Sequence, residues 1–353
     1  MKKKLLLISP IYVSKNQKGH APFMQNLVEA YINNGLDVTL LVKEGRESNI
    51  FLKIFSYLFY YVRILLKDIR KYDYIQISFP TLVYPVISFK RFGKAKIIIR
   101  FHGEDLVIPG KSFKSSILKK FSENIIRKGD LIVVPSKYFY NIVKNKYSKA
   151  NVYIYPSGGV NLKNFYPIRK NYKNNNILNL GYIGRLDYQK GLQVLIKAIS
   201  YIEDIKIHLI IIGDGPQKKD FLNLAENYKI DYVYYGTIPN NKLVNYYNEF
   251  DIFIFPTMRE AESFGNVGIE SMACGIPVIG SNIGGLTDYL VDGFNGLLFT
   301  PGDSRDLSDK IIKYNALSIE QKIELSNNAI KTASKYESNF LTSEFINYLN
   351  NIK

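Results

Sequence analysis

Apolar and polar positions alternate along this chain in two interleaved rhythms. Short apolar runs closed by serine, glycine or proline read as buried strands of a parallel sheet. In the first half these are Leu5–Ser9, Asp37–Val42, Tyr74–Ser78, Lys96–Phe101, Leu131–Pro135 and Val152–Tyr155. Segments of helical period fall between them, near 21–34, 51–70, 113–128 and 137–147. The polar run from Arg169 to Asn176 breaks the pattern as a linker, and a second alternating set runs from Ile177 to about 335. A last helical segment covers roughly 337–353. Two such sets predict an α/β protein with two doubly wound parallel-sheet domains, 1–168 and 177–336.

Ligands of open α/β sheets bind beyond the carboxyl ends of the strands, and the candidate chemistry lies at those ends. The run from Asp251 to Phe255 closes on Pro256 as a strand. A loop with Glu262-Ser263-Phe264-Gly265-Asn266 follows, and helical period starts near Val267 and stops at Cys274-Gly275-Ile276-Pro277. Glu262 therefore lies on a loop and Glu270 one turn inside a helix. Backbone N–H groups from Gly265 to Gly268 are free at that helix start, which makes an anion site. Carboxylates beside an anion site suit a ligand that joins hydroxyl groups to phosphates. Upstream, Asn179 to Ile183 is a strand entering the turn Gly184-Arg185-Leu186, followed by Lys190-Gly191 and a helix. Ile207 to Ile212 closes on Gly213-Asp214-Gly215-Pro216, and Tyr234-Tyr235-Gly236-Thr237-Ile238-Pro239 repeats the strand-to-turn pattern.

Gly184-Arg185-Leu186…Lys190-Gly191, then Glu262-Ser263-Phe264-Gly265, then Glu270 and Ala273-Cys274-Gly275-Ile276-Pro277-Val278-Ile279, give the chain its resemblance to a known family. It resembles the retaining, nucleotide-sugar-dependent glycosyltransferases of the GT-B fold in the group-1 (sucrose-synthase-like) family. The likeness covers essentially the whole chain and is sharp from about 181 to 300. It implies two Rossmann-like domains facing across a cleft, the first on the acceptor side and the second binding the donor nucleotide, with the last helix packed back on the first. It also implies transfer of a hexose-type sugar, with retention, from a nucleoside diphosphate to a saccharide or lipid-linked saccharide in surface polysaccharide or lipopolysaccharide assembly.

The same resemblance assigns residues. Arg185 and Lys190 hold the diphosphate, with the backbone of Gly265, Asn266 and Val267. Glu262 and His102 are the catalytic candidates: Glu262 binds the sugar hydroxyls and steadies positive charge at the anomeric carbon, and His102 orients the sugar. Glu270 binds the ribose hydroxyls, and Gly236, Thr237 and Ile238 line the base pocket. Gly19, Asp105 and Phe264 fall on the sugar and acceptor side; where the family often has Gly-Gly, this chain has Gly19-His20. A loop histidine without a ligand, and an aspartate that caps the following segment, are the plainer alternatives for His102 and Asp105. Fixed cations are what a departing diphosphate needs, and that diphosphate can itself draw the acceptor proton.

Composition narrows the remaining possibilities. Three histidines without paired spacing give no zinc set, and no Asp-x-Asp pair is present. Asp306 and Asp309 read as part of a surface turn. No metal and no cofactor is expected. A lone cysteine, Cys274, fits a reducing cytoplasm and a packing role. No run of about 20 apolar residues suggests a spanning helix, and Leu5–Ser9 is too short for a secretion signal.

Charge is lopsided. Residues 1–165 hold 28 Lys+Arg and 10 Asp+Glu, a net of +18, whereas the remainder nets −2. Nucleic acid is the rival partner for this half, but aromatic-basic strands of the RNA-recognition type are absent. In the 51–70 segment, Lys53, Ser56, Tyr60, Arg63, Lys67 and Arg70 fall three or four apart on one face, with Phe51, Phe55, Leu58, Val62 and Leu65 opposite. A second basic segment spans Lys111 to Lys128. These predict attachment of the basic half to an anionic membrane surface on the cytoplasmic side; two ordinary crossover helices with solvated outer faces are the alternative.

Overall fold

The computed structural model describes residues 2–12, 22–43, 49–89, 92–108, 110, 112–168 and 177–352. The linker at 169–176 and Gly19 lie outside the described residues. The chain divides into two compact units, Met1–Gly158 with Asn339–Lys353, and Gly159–Ser338.

In the first unit the order is β1 (Lys4–Ser9), α1 (Pro22–Asn33), β2 (Asp37–Val42), α2 (Ile50–Leu66), β3 (Tyr74–Ser78), α3 (Pro80–Ile87), β4 (Lys96–Arg100), α4 (Phe113–Ile126), β5 (Leu131–Val134), α5 (Lys137–Lys146) and β6 (Val152–Ile154). The strands form one parallel sheet in the order β2-β1-β3-β4-β5-β6. Central β1 is buried over Leu5–Ser9 because helices cover both faces, which is why it reads as a continuous apolar run.

Helix α3 has no counterpart in the sequence pattern. Its residues are apolar nearly all round and Pro85 interrupts it, so no helical stripe shows. It forms because Pro80 starts it at a position where the missing N–H costs nothing, and because Val83, Val86 and Ile87 are buried.

Helix α2 is turned the other way from the charge-led expectation. Tyr60 and Ile64 are its buried residues, on or beside the face predicted to be basic and outward. The opposite, apolar face is in solvent.

The last helix, Ser338–Asn351, supplies Phe345, Ile346 and Leu349 to the core of the first unit, beside Leu5, Leu7, Tyr31, Tyr74 and Tyr155. The Tyr74 hydroxyl donates to the Leu349 carbonyl at 3.2 Å, and the Tyr155 and Thr342 hydroxyls pair at 2.7 Å.

The second unit runs β7 (Ile177–Ile183), α6 (Leu192–Ile199), β8 (Lys206–Ile212), α7 (Lys218–Asn227), β9 (Tyr232–Tyr234), α8 (Leu243–Tyr247), β10 (Ile252–Phe255), α9 (Asn266–Ala273), β11 (Val278–Ser281), β12 (Gly296–Phe299), α10 (Ser304–Asn315) and α11 (Ile319–Ser334). Its parallel sheet has the order β12-β11-β10-β7-β8-β9. Side chains alternate between two apolar layers: Ile252 and Ile254 enter one, Phe253 and Phe255 the other. Strand order reverses between β7 and β10, as at the ligand crevice of doubly wound sheets. Asp306 and Asp309 belong to α10 rather than to a surface turn; Asp303 caps that helix and Asp306 accepts from the Thr300 N–H at 2.7 Å.

Candidate functional site

At the β7–β10 reversal, the turn after β7 leads through Gly184-Arg185-Leu186 into a 3₁₀ turn, Tyr188–Lys190. Asp187 caps that turn by accepting from the Lys190 N–H at 3.1 Å. Gly191 then takes φ +77°, and a Cβ there would lie 1.8 Å from the Pro256 carbonyl at the end of β10. Only glycine lets the two strand ends come this close. The Met258 N–H donates to the Gln189 carbonyl at 2.7 Å and locks the two loops together.

This contact delivers Lys190 to Glu262. Lys190 Nζ lies 2.6 Å from Glu262 Oε2, with side chains 17% and 8% exposed, and the Thr257 hydroxyl donates to the same oxygen at 3.0 Å. Burial pushes the Glu262 carboxyl up, but the Lys190 charge and hydrogen bond, then Arg259 and Thr257, more than offset it. Glu262 is therefore held below its ordinary value and stays ionised. Arg185 is 61% exposed and points its Nε at Asp187 Oδ2, 3.3 Å away.

The helix start is built as the sequence suggested. Gly265 adopts φ +78° as the residue before α9, and no side chain caps the helix. Its backbone is pinned from behind: the Tyr289 hydroxyl donates to the Gly265 carbonyl at 3.0 Å, and the Gly285 N–H donates to the Glu262 carbonyl at 2.9 Å. The amides of Asn266 and Val267 therefore have no intrahelical acceptor, and Asn266 Oδ1 is buried without a partner among the described residues.

Glu270 sits four residues into the helix, buried. Tyr247 donates to its Oε2 at 3.0 Å and Asn240 to its Oε1 at 3.2 Å. Burial pushes its carboxyl up to about 7, against the lowering effect of those two donors. Gly236, Thr237 and Ile238 follow β9; the Gly236 carbonyl accepts from the Gly213 N–H at 2.8 Å, and at Gly236, with φ +68°, an added Cβ would only touch the Tyr234 hydroxyl, 3.7 Å away. Phe264 is a correction. Its ring is fully buried, 5.0 Å from both Tyr289 and Tyr336, so it packs the core rather than facing a sugar.

In the first unit, His102 follows β4. Its N–H donates to Asp105 Oδ1 at 2.8 Å, so Asp105 closes its own loop instead of capping a helix. The imidazole stacks on Phe79 at 4.2 Å and lies 5.4 Å from Phe23. Phe79 holds φ +52°, a conformation rare for a bulky side chain. Burial, then the Arg100 charge, keeps His102 well below its usual pKa and hence neutral; its Nε2 is buried without a partner among the described residues. Burial likewise pushes Asp105 up to about 7.

The structure thus joins Lys190 to Glu262, sets Glu270 behind the helix start, and leaves Arg185 at the rim. Sequence reasoning missed Thr257, Asn240 and Tyr247. Thr257 directly follows Pro256 at a strand end, which is a usable signal; no spacing links Asn240 or Tyr247 to Glu270.

Two parallel doubly wound sheets, with an uncapped helix start and a buried carboxylate–ammonium pair at the strand-order reversal of the second, define a two-domain α/β protein of the GT-B fold. Residues 167–335, a little under half of the chain, match the family Glycosyl transferases group 1. Among sequence relatives, the Staphylococcus aureus capsular polysaccharide biosynthesis glycosyltransferase CapM is 33% identical over 141 residues, 38% of this chain and 36% of that one, so the match spans about a third of the relative. Sucrose-phosphate synthase from Thermosynechococcus elongatus superposes with a TM-score of 0.81 at 19% identity, covering 99% of both chains. Anabaena HepE, solved in complex with UDP and glucose, gives 0.76 at 16% identity and 99% coverage of both. At these identities the likeness is one of fold.

Proposed function

We propose that the chain is a retaining, metal-independent glycosyltransferase. It moves a hexose-type sugar from a nucleoside diphosphate to a saccharide or lipid-linked saccharide in surface polysaccharide or lipopolysaccharide assembly. The observation that carries this reading is the pairing of Lys190 with Glu262 next to the uncapped start of α9. That arrangement offers cationic and amide donors to a diphosphate and, a few ångströms away, an ionised carboxylate to a sugar ring gaining positive charge. The capsular role in the name of CapM and the UDP and glucose bound to HepE support the substrate classes.

In this mechanism Lys190 and Arg185 neutralise the leaving diphosphate with the amides of Asn266 and Val267. Glu262 steadies the anomeric carbon, and the leaving phosphate oxygen takes the proton of the acceptor hydroxyl on the face it vacates. Neutral His102 orients sugar hydroxyls, and Asp105 the acceptor. The basic first unit rests on an anionic membrane surface at the cytoplasmic side, with no nucleic acid bound. The test is a screen of nucleotide sugars for thermal stabilisation and hydrolysis, followed by NMR of the anomeric centre and transfer in EDTA. Inversion, or loss of transfer in EDTA, would refute the mechanism.

Glu270 gives a pH signature. Its folded value of about 7 lies above the ordinary 4.5. Across that window the folded chain keeps a proton that the unfolded chain has lost, so this group's contribution to stability falls as pH rises from the lower value to the higher. Ribose hydroxyls donating to Glu270 favour the carboxylate, so nucleotide binding expels the proton and strengthens as pH rises through 7. Calorimetric titration of UDP and GDP in buffers of different ionisation heat should show a proton release in the wild type exceeding that in Glu270→Gln. The variant is the reference because the diphosphate itself titrates nearby. Equal release in the two proteins would remove Glu270 from the nucleoside site.

A further inference from the structure

Helix α2 carries an exposed apolar face that the fold does not use. At 100° per residue, Phe51, Phe55, Leu58, Val62 and Leu65 share one side, and they are 69%, 68%, 57%, 42% and 50% exposed. Leu66 extends the same face at 80% exposure. Only Tyr60 and Ile64 are buried, on the far side. Asn49 caps the helix, its Oδ1 accepting from the Phe51 N–H at 2.8 Å, so the element is closed at its start without help from a partner. Contiguous apolar surface of this kind is rare on a solvated face.

We infer that α2 is an interfacial anchor: it lies in the plane of an anionic membrane with this apolar face among the acyl chains. The inference rests on the membrane reading given above and changes its physics, from charge attraction alone to hydrophobic insertion. Three observations commit the face to lipid. The helix has no acidic residue, and Arg63 flanks the apolar arc beside Phe59, 5.9 Å from its ring, where a cation meets headgroup phosphates while its stem lies along the apolar surface; Lys53 and Lys67 lie farther round, on the basic face. Tyr57, Tyr60 and Tyr61 sit on the core-facing side, leaving phenylalanine and aliphatic residues alone on the exposed arc. Residues 1–165 carry a net charge of +18, which opposes pairing of this face with a second copy and favours an anionic sheet. The helix does not cross: among the described residues none is long and apolar enough to span a bilayer.

The experiment is co-sedimentation of the full chain with vesicles of equimolar phosphatidylglycerol and phosphatidylcholine, at low salt and at about 1 M, where the screening length is only about 3 Å. The wild type should remain bound at high salt. Phe55→Ser/Leu58→Ser/Val62→Ser, all at exposed positions, should bind at least about tenfold more weakly and be released by salt. The chain has no tryptophan, so Phe55→Trp adds a single indole reporter. Its emission should shift to the blue on these vesicles and be quenched by lipids brominated in the acyl chain. Wild type released by high salt, with unquenched indole emission from Phe55→Trp and an unaffected triple variant, overturns insertion while leaving charge-led attachment standing. No binding at low salt overturns both. A concentration-dependent dimer that the triple substitution abolishes, with no vesicle binding, assigns the face to a second copy and also overturns the inference.

Discussion

Glu262→Gln is expected to lower turnover by about 10²–10³-fold, the range seen when one preorganised charge-stabilising group is removed, while nucleotide affinity holds or tightens. The split follows from the pairing. In the wild type the Lys190 ammonium is shared with Glu262 at 2.6 Å, so part of its field is already neutralised before any diphosphate arrives. Glutamine keeps the size of the side chain and a carbonyl for the Thr257 hydroxyl, but it leaves Lys190 free to give its whole charge to phosphate. The same amide has nothing to offer positive charge on the sugar ring. Lys190→Ala should behave oppositely, weakening nucleotide binding by about 1.5–3 kcal/mol for a lost charge-assisted contact. It would also strip the buried Glu262 carboxylate of its main compensating charge, leaving Arg259 and Thr257, so that its pKa rises. Steady-state kinetics beside UDP titration of both variants separates the two effects. Unchanged turnover in Glu262→Gln would remove it from the chemistry.

Gly191→Ala should be the most damaging change for stability in the second unit. A methyl group there would lie 1.8 Å from the Pro256 carbonyl on a backbone at φ +77°. Neither atom can yield without parting the ends of β7 and β10. The cost should be at least about 3 kcal/mol, a drop in melting temperature of roughly 6–12 °C for a unit of this size. Gly293→Ala is the control. It has a similar φ of +73° but nothing within 4 Å of the added methyl, so it should cost only the conformational strain of about 1–2 kcal/mol. Calorimetry of the two variants isolates the close approach; equal losses would mean that the contact is not tight in solution.

Much of this was legible in the sequence because parallel strands buried on both faces leave continuous apolar runs. All six predicted strands of the first half fall within a residue or two of the observed ones. Glycine-rich strand ends were readable for a similar reason: a backbone that must pass within contact distance of another backbone excludes Cβ, as at Gly191 and Gly213. Helix α3 was not legible, since an apolar segment around Pro85 has no stripe to detect. The orientation of α2 was misjudged because its two faces were ranked by charge, whereas burial of Tyr60 and Ile64 decided it. The resemblance puts Phe264 on the sugar and acceptor side, whereas its ring packs against Tyr289 and Tyr336; a loop can aim consecutive side chains in opposite directions. The partners of Glu270 come from α8 and the turn before it, 23 and 30 positions away, and only the fold brings them together.

The first unit is completed by a helix encoded far from the rest of it. Phe345, Ile346 and Leu349 fill a core whose other walls are all made before residue 159. On the ribosome, those walls emerge first and must wait while the whole of Gly159–Ser338 is synthesised, roughly 10–40 s at about 5–20 residues per second. During that interval Tyr31, Tyr74 and Tyr155 lack their covering helix, whereas the second unit, contiguous in sequence, can close as it is made. The order of birth along the chain is therefore the reverse of the order of completion, and the nascent first unit is the stretch that a chaperone would have to hold.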